Sequence, residues 1–129
     1  PGFAQKLQEL GHISDAENIT SADMEKIAAI TELDVSGTYG NRGTLTSLQG
    51  IEYFESLTEL YCLSNQLTSL DVSANTALTF LECEDNPGDG VSKFPVTAWF
   101  DTKPDNLTVS QTSWSYDGAT ITIEFQKAE

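Results

Sequence analysis

A nine-residue motif occurs twice in this chain, 21 residues apart. Residues 57–65 and residues 78–86 both follow the pattern L-x-x-L-x-C-x-x-N. Self-similarity with a period of about 20 to 29 residues is typical of a solenoid, in which each copy supplies one supersecondary unit and stacks on its neighbours. The sequence therefore predicts a parallel sheet whose strands recur at this period.

Two degenerate copies extend the array on either side. The first, at residues 30–38, starts 27 residues before the first clear copy and keeps its internal spacing. A last, stretched copy is expected to place Leu107 and Val109 where the second clear copy has Leu81 and Cys83. Four or five strands spaced by about 4.8 Å would form a sheet only about 20 Å across.

The segments between the strands are too short for full helices, so turns or short 3₁₀ pieces are expected there. A Gly-rich insertion at residues 39–43 lengthens the first copy and is expected to bulge as a surface loop. The side chains of Asn65 and Asn86 occupy the same slot in successive copies, and we expect them to bond to backbone groups of the turns.

Because side chains alternate along a strand, the residues between the inward pairs should form one outward face. Its centre is predicted to be an aromatic pair within carboxylates, and the candidate binding residues are Glu59, Tyr61, Phe80, Glu82 and Glu84. Aromatic anchors within a polar rim are typical of interfaces. The alternative is cross-strand packing that only stabilises the sheet. The whole predicted outward stripe consists of Glu32, Asp34, Ser36, Glu59, Tyr61, Leu63, Phe80, Glu82, Glu84, Asn106, Thr108 and Ser110.

The flanking segments complete one domain over residues 1–129, divided as 1–29, 30–90 and 91–129. The first part predicts a helical N-cap, with one helix over residues 3–10 and a second that starts at the capping-box pattern of residues 20–23. In the last part, residues 94–100 are expected to form a short helix or one turn of a helix. Asp117-Gly118 then predicts a β-hairpin, which we expect to close the sheet edge as a C-cap.

The composition of the chain, and above all its net charge, limits the classes of partner that it can bind. Six basic and 20 acidic residues give a net charge of −14, which argues against nucleic acid or an anionic membrane as a partner. The excess of acid either keeps the chain soluble or attracts cations or a basic partner. The sequence has no apolar run long enough for a membrane span. It also lacks a leader pattern at Pro1, so we expect a mature or trimmed chain whose targeting segment is absent.

The residue types that could support catalysis or bind a metal do not form a recognisable site in the sequence, so no enzyme activity, metal or cofactor is predicted. His12 is the only histidine, so no Ser-His-Asp or Cys-His arrangement is predicted. Cys62 and Cys83 share one inward slot; a disulfide is geometrically poor there and free buried thiols are expected. The acidic turn at residues 82–90 offers oxygen ligands of the kind Ca²⁺ prefers, but it lacks EF-hand spacing, so a solvated loop is the expectation.

Several sequence motifs in this chain resemble those of a known protein family. Residues 57–86, with Leu-Thr-Ser-Leu-Asp-Val-Ser and Asn-Thr-Ala-Leu-Thr, resemble the short leucine-rich repeats of internalin-like bacterial surface proteins. Residues 19–35 resemble the capped start of such arrays, and residues 46–51 resemble their linking turn. The resemblance implies a secreted, cell-surface or periplasmic protein that binds proteins or sometimes glycans through a concave sheet. This chain has fewer repeats than family members that grip large ligands.

Together these observations predict an α/β fold: a short right-handed leucine-rich-repeat solenoid with a parallel sheet, a helical N-cap and a β-hairpin C-cap. The predicted function is a monomeric, non-enzymatic, exported interaction module for a protein or glycan ligand. Two alternatives stay open. One is a structural spacer or capping domain of a surface assembly, and the other is a calcium-dependent adhesion element.

Overall fold

The chain has an α/β fold with a parallel sheet and a β-solenoid of about three turns. The computed structural model describes residues 2–38 and 40–129, so Pro1 and Tyr39 lie outside the described residues. Two helices come first, α1 (Phe3–Glu9) and α2 (Ser21–Ala29). The strands that follow are β1 (Glu32–Asp34), β2 (Glu59–Tyr61), β3 (Leu70–Asp71), β4 (Phe80–Glu82), β5 (Lys93–Ala98), β6 (Thr108–Val109), β7 (Ser113–Tyr116) and β8 (Ala119–Lys127).

The predicted parallel sheet is present, in the order β1-β2-β4-β6. Leu33, Leu60 and Leu81 align across its first three strands and are fully buried. Burial of a leucine side chain contributes about 1.5 to 3 kcal/mol, so this inward ladder is the main apolar element of the sheet. The repeat in the sequence thus corresponds to strands in register.

The predicted register of the last strand is wrong by two residues. Val109, not Leu107, aligns with Leu81, and Asn106 consequently lies before β6 rather than on it. Leu107 is nevertheless buried. A shift of two residues keeps the same side chains on the same face, so the alternating pattern fits either register equally well.

A second sheet, in the order β3-β5-β8-β7, was not predicted. Its strand β5 occupies the segment for which a short helix was expected, and that expectation is wrong. Phe94, Val96 and Ala98 are buried while their neighbours are not, which is the period-two pattern of a strand. Pro95 also disfavours a helix interior because it has no N–H to donate.

The hairpin prediction is confirmed, but its position is not the expected one. Asp117 and Gly118 both have positive φ, 48° and 91°, as a two-residue type I′ turn requires. The hairpin pairs with β5 and not with β6, so it does not close the edge of the repeat sheet. Trp114 ties it to the repeats by donating from Nε1 to the Asn86 carbonyl, 2.8 Å away.

The N-terminal segment folds as two helices with the predicted local signals. Thr20 Oγ1 accepts from the Asp23 N–H at 3.1 Å, and Asp23 Oδ2 accepts from the Thr20 N–H at 3.0 Å, which completes a capping box. Phe3 packs on Phe54 with ring centroids 5.9 Å apart, which joins α1 to the solenoid core. No helix among the described residues is long and apolar enough to cross a membrane.

The asparagine ladder is also confirmed. Asn86 is fully buried; its Oδ1 accepts from the N–H groups of Asn65 and Leu67, and its Nδ2 donates to the Cys62 and Cys83 carbonyls. Asn65 repeats this one coil earlier by donating from Nδ2 to the Val35 carbonyl at 3.0 Å. These side chains satisfy backbone groups that the turns would otherwise leave unpaired in the core.

Candidate functional site: the open face of the repeat sheet

The outward side chains of β1, β2, β4 and β6 form a surface that we call the open face. The register places its side chains in two rows across the strands. One row contains Glu32, Glu59, Phe80 and Thr108, and the other contains Asp34, Tyr61 and Glu82. Four carboxylates therefore lie on three neighbouring strands, around two aromatic rings.

The predicted aromatic pair is present at the centre of the open face. Tyr61 and Phe80 are diagonal neighbours on β2 and β4, with ring centroids 5.5 Å apart and ring planes inclined at 49°. Both are half-buried. Tilted pairs at this separation are favourable beyond their buried area, by about 0.5 to 1.5 kcal/mol. The pair is therefore a fixed apolar platform with accessible ring surface.

The carboxylates around this aromatic pair change the pKa values of Tyr61 and Glu82. The Tyr61 hydroxyl donates to Glu59 Oε1 at 2.6 Å. This hydrogen bond, with burial and the nearby negative charges of Glu59, Glu32 and Glu82, raises the pKa of Tyr61 to about 12. Burial, and then the charges of Glu84 and Asp34, raise the pKa of Glu82 above its ordinary value. The open face is thus a region of negative potential, which favours cations.

Glu84 does not belong to the accessible part of this surface, and the prediction that its side chain is exposed is wrong. It is 5% exposed, and its Oε1 accepts from the Ser110 hydroxyl at 2.7 Å. β4 ends at Glu82, and Asp85 turns the chain with φ 58°. This turn follows Glu84, and the Ser64 N–H still bonds to the Glu84 carbonyl at 3.0 Å, so the ladder continues to this residue. The alternation indicates the direction of the Glu84 side chain but not that Ser110 of a later coil covers it.

Arg42 makes a set of contacts that was not predicted from the sequence. Its Nη2 lies 2.9 Å from Asp85 Oδ1, its Nη1 lies 3.2 Å from Asp117 Oδ1, and its guanidinium carbon lies 4.0 Å from the Tyr116 ring centroid. The bond to Asp85, which is almost fully buried, is the largest cause that raises the pKa of Arg42. Arg42 therefore links a repeat turn to the hairpin, and we call this set of contacts the Arg42 clamp.

The insertion is only partly the surface loop that was expected. Thr38 and Asn41 form an antiparallel bridge and are exposed, but Arg42 points back onto the repeats. At Gly37 an added Cβ would lie 2.3 Å from the Gly43 nitrogen and 2.4 Å from the Ser64 carbonyl oxygen. Glycine at this position allows the insertion to lie directly against the next coil.

The acidic turn after β4 does not gather its carboxylates. Asp85 binds Arg42, whereas Asp89 Oδ1 accepts the N–H groups of Val91, Ser92 and Lys93, and these bonds lower the pKa of Asp89. Across residues 2–38 and 40–129 no cluster of three or more His, Cys, Asp or Glu side chains could hold a metal ion. The expectation of a solvated loop is wrong for Glu84 and Asp85, which are buried. Calcium binding by this turn, the alternative to a solvated loop, stays untested.

The other reactive groups lie apart from the open face. Cys62 and Cys83 are free and buried in the core, and burial raises the pKa of both thiols. They therefore behave as small apolar residues rather than as nucleophiles. His12 lies in the connection between α1 and α2.

Comparison of the chain with protein-family models, with curated proteins and with solved structures gives no match.

Proposed function

We propose that this chain is a non-enzymatic interaction module that binds a basic segment of a partner protein on the open face. The observation that carries the proposal is the half-buried pair of Tyr61 and Phe80 within a group of carboxylates that form no ion pair in the described part of the chain. The ion pairs among the described residues involve Arg42 and Lys93, and none includes a carboxylate of the open face.

The chemistry of this surface specifies the partner. Glu32 and Glu59 lie directly opposite each other on strands about 4.8 Å apart, so their carboxylates repel each other. A lysine or arginine side chain placed between them would relieve that repulsion. The guanidinium or ammonium group could at the same time lie over the Tyr61 or Phe80 ring, where cation–π attraction adds about 0.5 to 2 kcal/mol. A basic protein segment therefore fits better than a neutral glycan.

The proposed cellular setting follows from the resemblance to internalin-like leucine-rich-repeat proteins. We place the module outside the bacterial cytoplasm, secreted or on the cell surface or in the periplasm, as a monomer. Long-range attraction by a net charge of −14 would speed the encounter with a basic partner and would weaken as salt concentration rises.

The test is selection of ligands from a displayed library of random peptides on the immobilised chain. The proposal predicts enriched sequences that contain Lys or Arg, and affinities that fall at least tenfold in the Tyr61→Ala/Phe80→Ala double variant. Tyr53→Ala is the matched control, because Tyr53 is 54% exposed and lies outside the repeat sheet. Selected peptides that lack basic residues, or that bind the double variant as tightly as the wild type, would refute the proposal.

A structural spacer is the second candidate, and one observation favours it. The polar end of Tyr61 is already satisfied by Glu59 within the sheet, so the open face is stable without a partner. If the double variant loses stability while selection yields no ligand specific to the open face, the aromatic pair serves the sheet and the spacer function is the better account.

A further inference from the structure

A cleft lies on the other side of the solenoid, where the segments that link the strands run. It has a volume of about 470 Å³ and lies between residues 47–52 and residues 69–73. Leu48, Ile51 and Leu70 line it but are almost fully buried, so most of its accessible lining is polar. Its volume is within the range of about 300 to 1,000 Å³ that is typical of ligand sites. This site is independent of the open face.

One wall of the cleft is the free edge of the second sheet. Strand β3 has a single neighbour, β5. The Val72 N–H donates to the Thr97 carbonyl at 2.8 Å, and residues of a parallel strand face their partner alternately. The backbone N–H and C=O of Asp71 therefore point away from β5, and neither has a hydrogen-bond partner among the described residues. Such an edge is a template for a further strand.

The polar lining of the cleft is acidic. Glu52 is held on one wall by accepting the Gly50 N–H at 2.8 Å. Asp71 is held on the other wall, because its Oδ1 accepts the N–H of Ser73 at 2.9 Å and the Ser73 hydroxyl at 2.7 Å. Neither carboxylate takes part in an ion pair of the described chain. A ligand of this cleft is therefore expected to carry positive charge.

We propose that the cleft binds a short extended peptide segment with a basic side chain, which adds as a strand beside β3. The peptide backbone would bond to the free N–H and C=O of Asp71. Its lysine or arginine would lie between Glu52 and Asp71, and an apolar neighbour would contact Leu70. Main-chain hydrogen bonds give this mode its affinity, and the two carboxylates give it its preference for basic sequences.

The test is a titration of the ¹⁵N-labelled chain with the peptide Ac-Thr-Val-Lys-Val-Thr-NH₂, followed by amide chemical shifts. The Tyr61→Ala/Phe80→Ala variant is used, so that the open face does not compete for the peptide. We expect saturable shifts at the amides of Ser69, Asp71 and Ser73, because the new strand lies along them. A peptide with Glu in place of Lys should bind at least tenfold more weakly.

Two further arms separate strand addition from simple charge attraction. One peptide is N-methylated at Lys and a second at both Val residues. Successive N–H groups of a strand point to opposite sides, so only one of these peptides loses the donors that face β3, and that peptide should lose binding. The variant Asp71→Asn keeps the oxygen that accepts from Ser73 but removes the charge, and it should weaken binding several-fold while leaving the unfolding midpoint unchanged.

Three results would overturn the proposal. The first is the lack of saturable shifts along residues 69–73 with the lysine peptide. The second is equal binding of both N-methylated peptides and their parent, which would show that no strand is added. The third is a set of shifts confined to the repeat sheet, which would assign the peptide to the open face.

Discussion

The asparagine ladder gives the sharpest prediction about stability. Asn86 is fully buried, and its Oδ1 accepts the N–H groups of Asn65 at 3.2 Å and Leu67 at 3.0 Å. In Asn86→Ala both donors lose their partner inside the core. A buried donor left without a partner destabilises a protein by about 1 to 3 kcal/mol, so we expect a loss of about 2 to 6 kcal/mol in the free energy of unfolding. Domains are stable by only about 5 to 15 kcal/mol, so the variant should be close to unfolding.

The assay is urea unfolding monitored by tryptophan fluorescence, which is sensitive here because Trp114 Nε1 donates to the Asn86 carbonyl. The matched control is Asn106→Ala, since Asn106 is exposed and lies outside the strands. The control should change the free energy of unfolding by less than about 0.5 kcal/mol. If the two variants differ by no more than that, the side-chain hydrogen bonds are not what holds successive coils together.

Three other predictions concern charges and thiols. Arg42→Met should lower the urea midpoint because it leaves a buried carboxylate unpaired, and Arg42→Lys should restore only part of it; equal midpoints for both variants and the wild type would contradict the clamp. With a pKa of about 12 for Tyr61 against an ordinary 10.0, the folded chain binds more protons than the unfolded chain between these values, so stability should fall as pH rises through that window. Ultraviolet titration of Tyr61 should show the raised pKa, and Glu59→Gln should bring this pKa back towards 10.0. An unchanged pKa of Tyr61 in Glu59→Gln would rule out Glu59 as the main cause. Cys62 and Cys83 should react with a thiol reagent only after unfolding, and rapid labelling of the native chain would show that the core is open.

Local signals in the sequence accounted for the local structure. The leucines of the repeated motif predicted the inward ladder, because each copy of the motif forms one strand and places its leucine at the same position. The Asp117-Gly118 pair predicted its turn, since positive φ at two successive residues restricts the residue types that fit. The aromatic pair of Tyr61 and Phe80 followed from the same alternation within short strands.

The features that the sequence did not reveal depend on contacts between distant residues. Arg42 reaches Asp85 and Asp117, which are 43 and 75 residues away, and no periodicity connects them. The pairing of β3 with β5 depends on where the return path of one coil meets a later strand. The burial of Glu84 was missed because the pattern of one strand does not show that Ser110, 26 residues later, covers its carboxylate.

The Arg42 clamp restricts how this solenoid can change in length. Arrays of similar units usually tolerate duplication or loss of a unit, because each contacts only its neighbours. Here Arg42 bonds to Asp117 across the units between them. Duplicating the 21-residue unit between them would move the hairpin tip away by about 4.8 Å, and deleting it would push the tip against the insertion. A solenoid of this kind with one unit more or fewer would therefore lose the contact between Arg42 and Asp117.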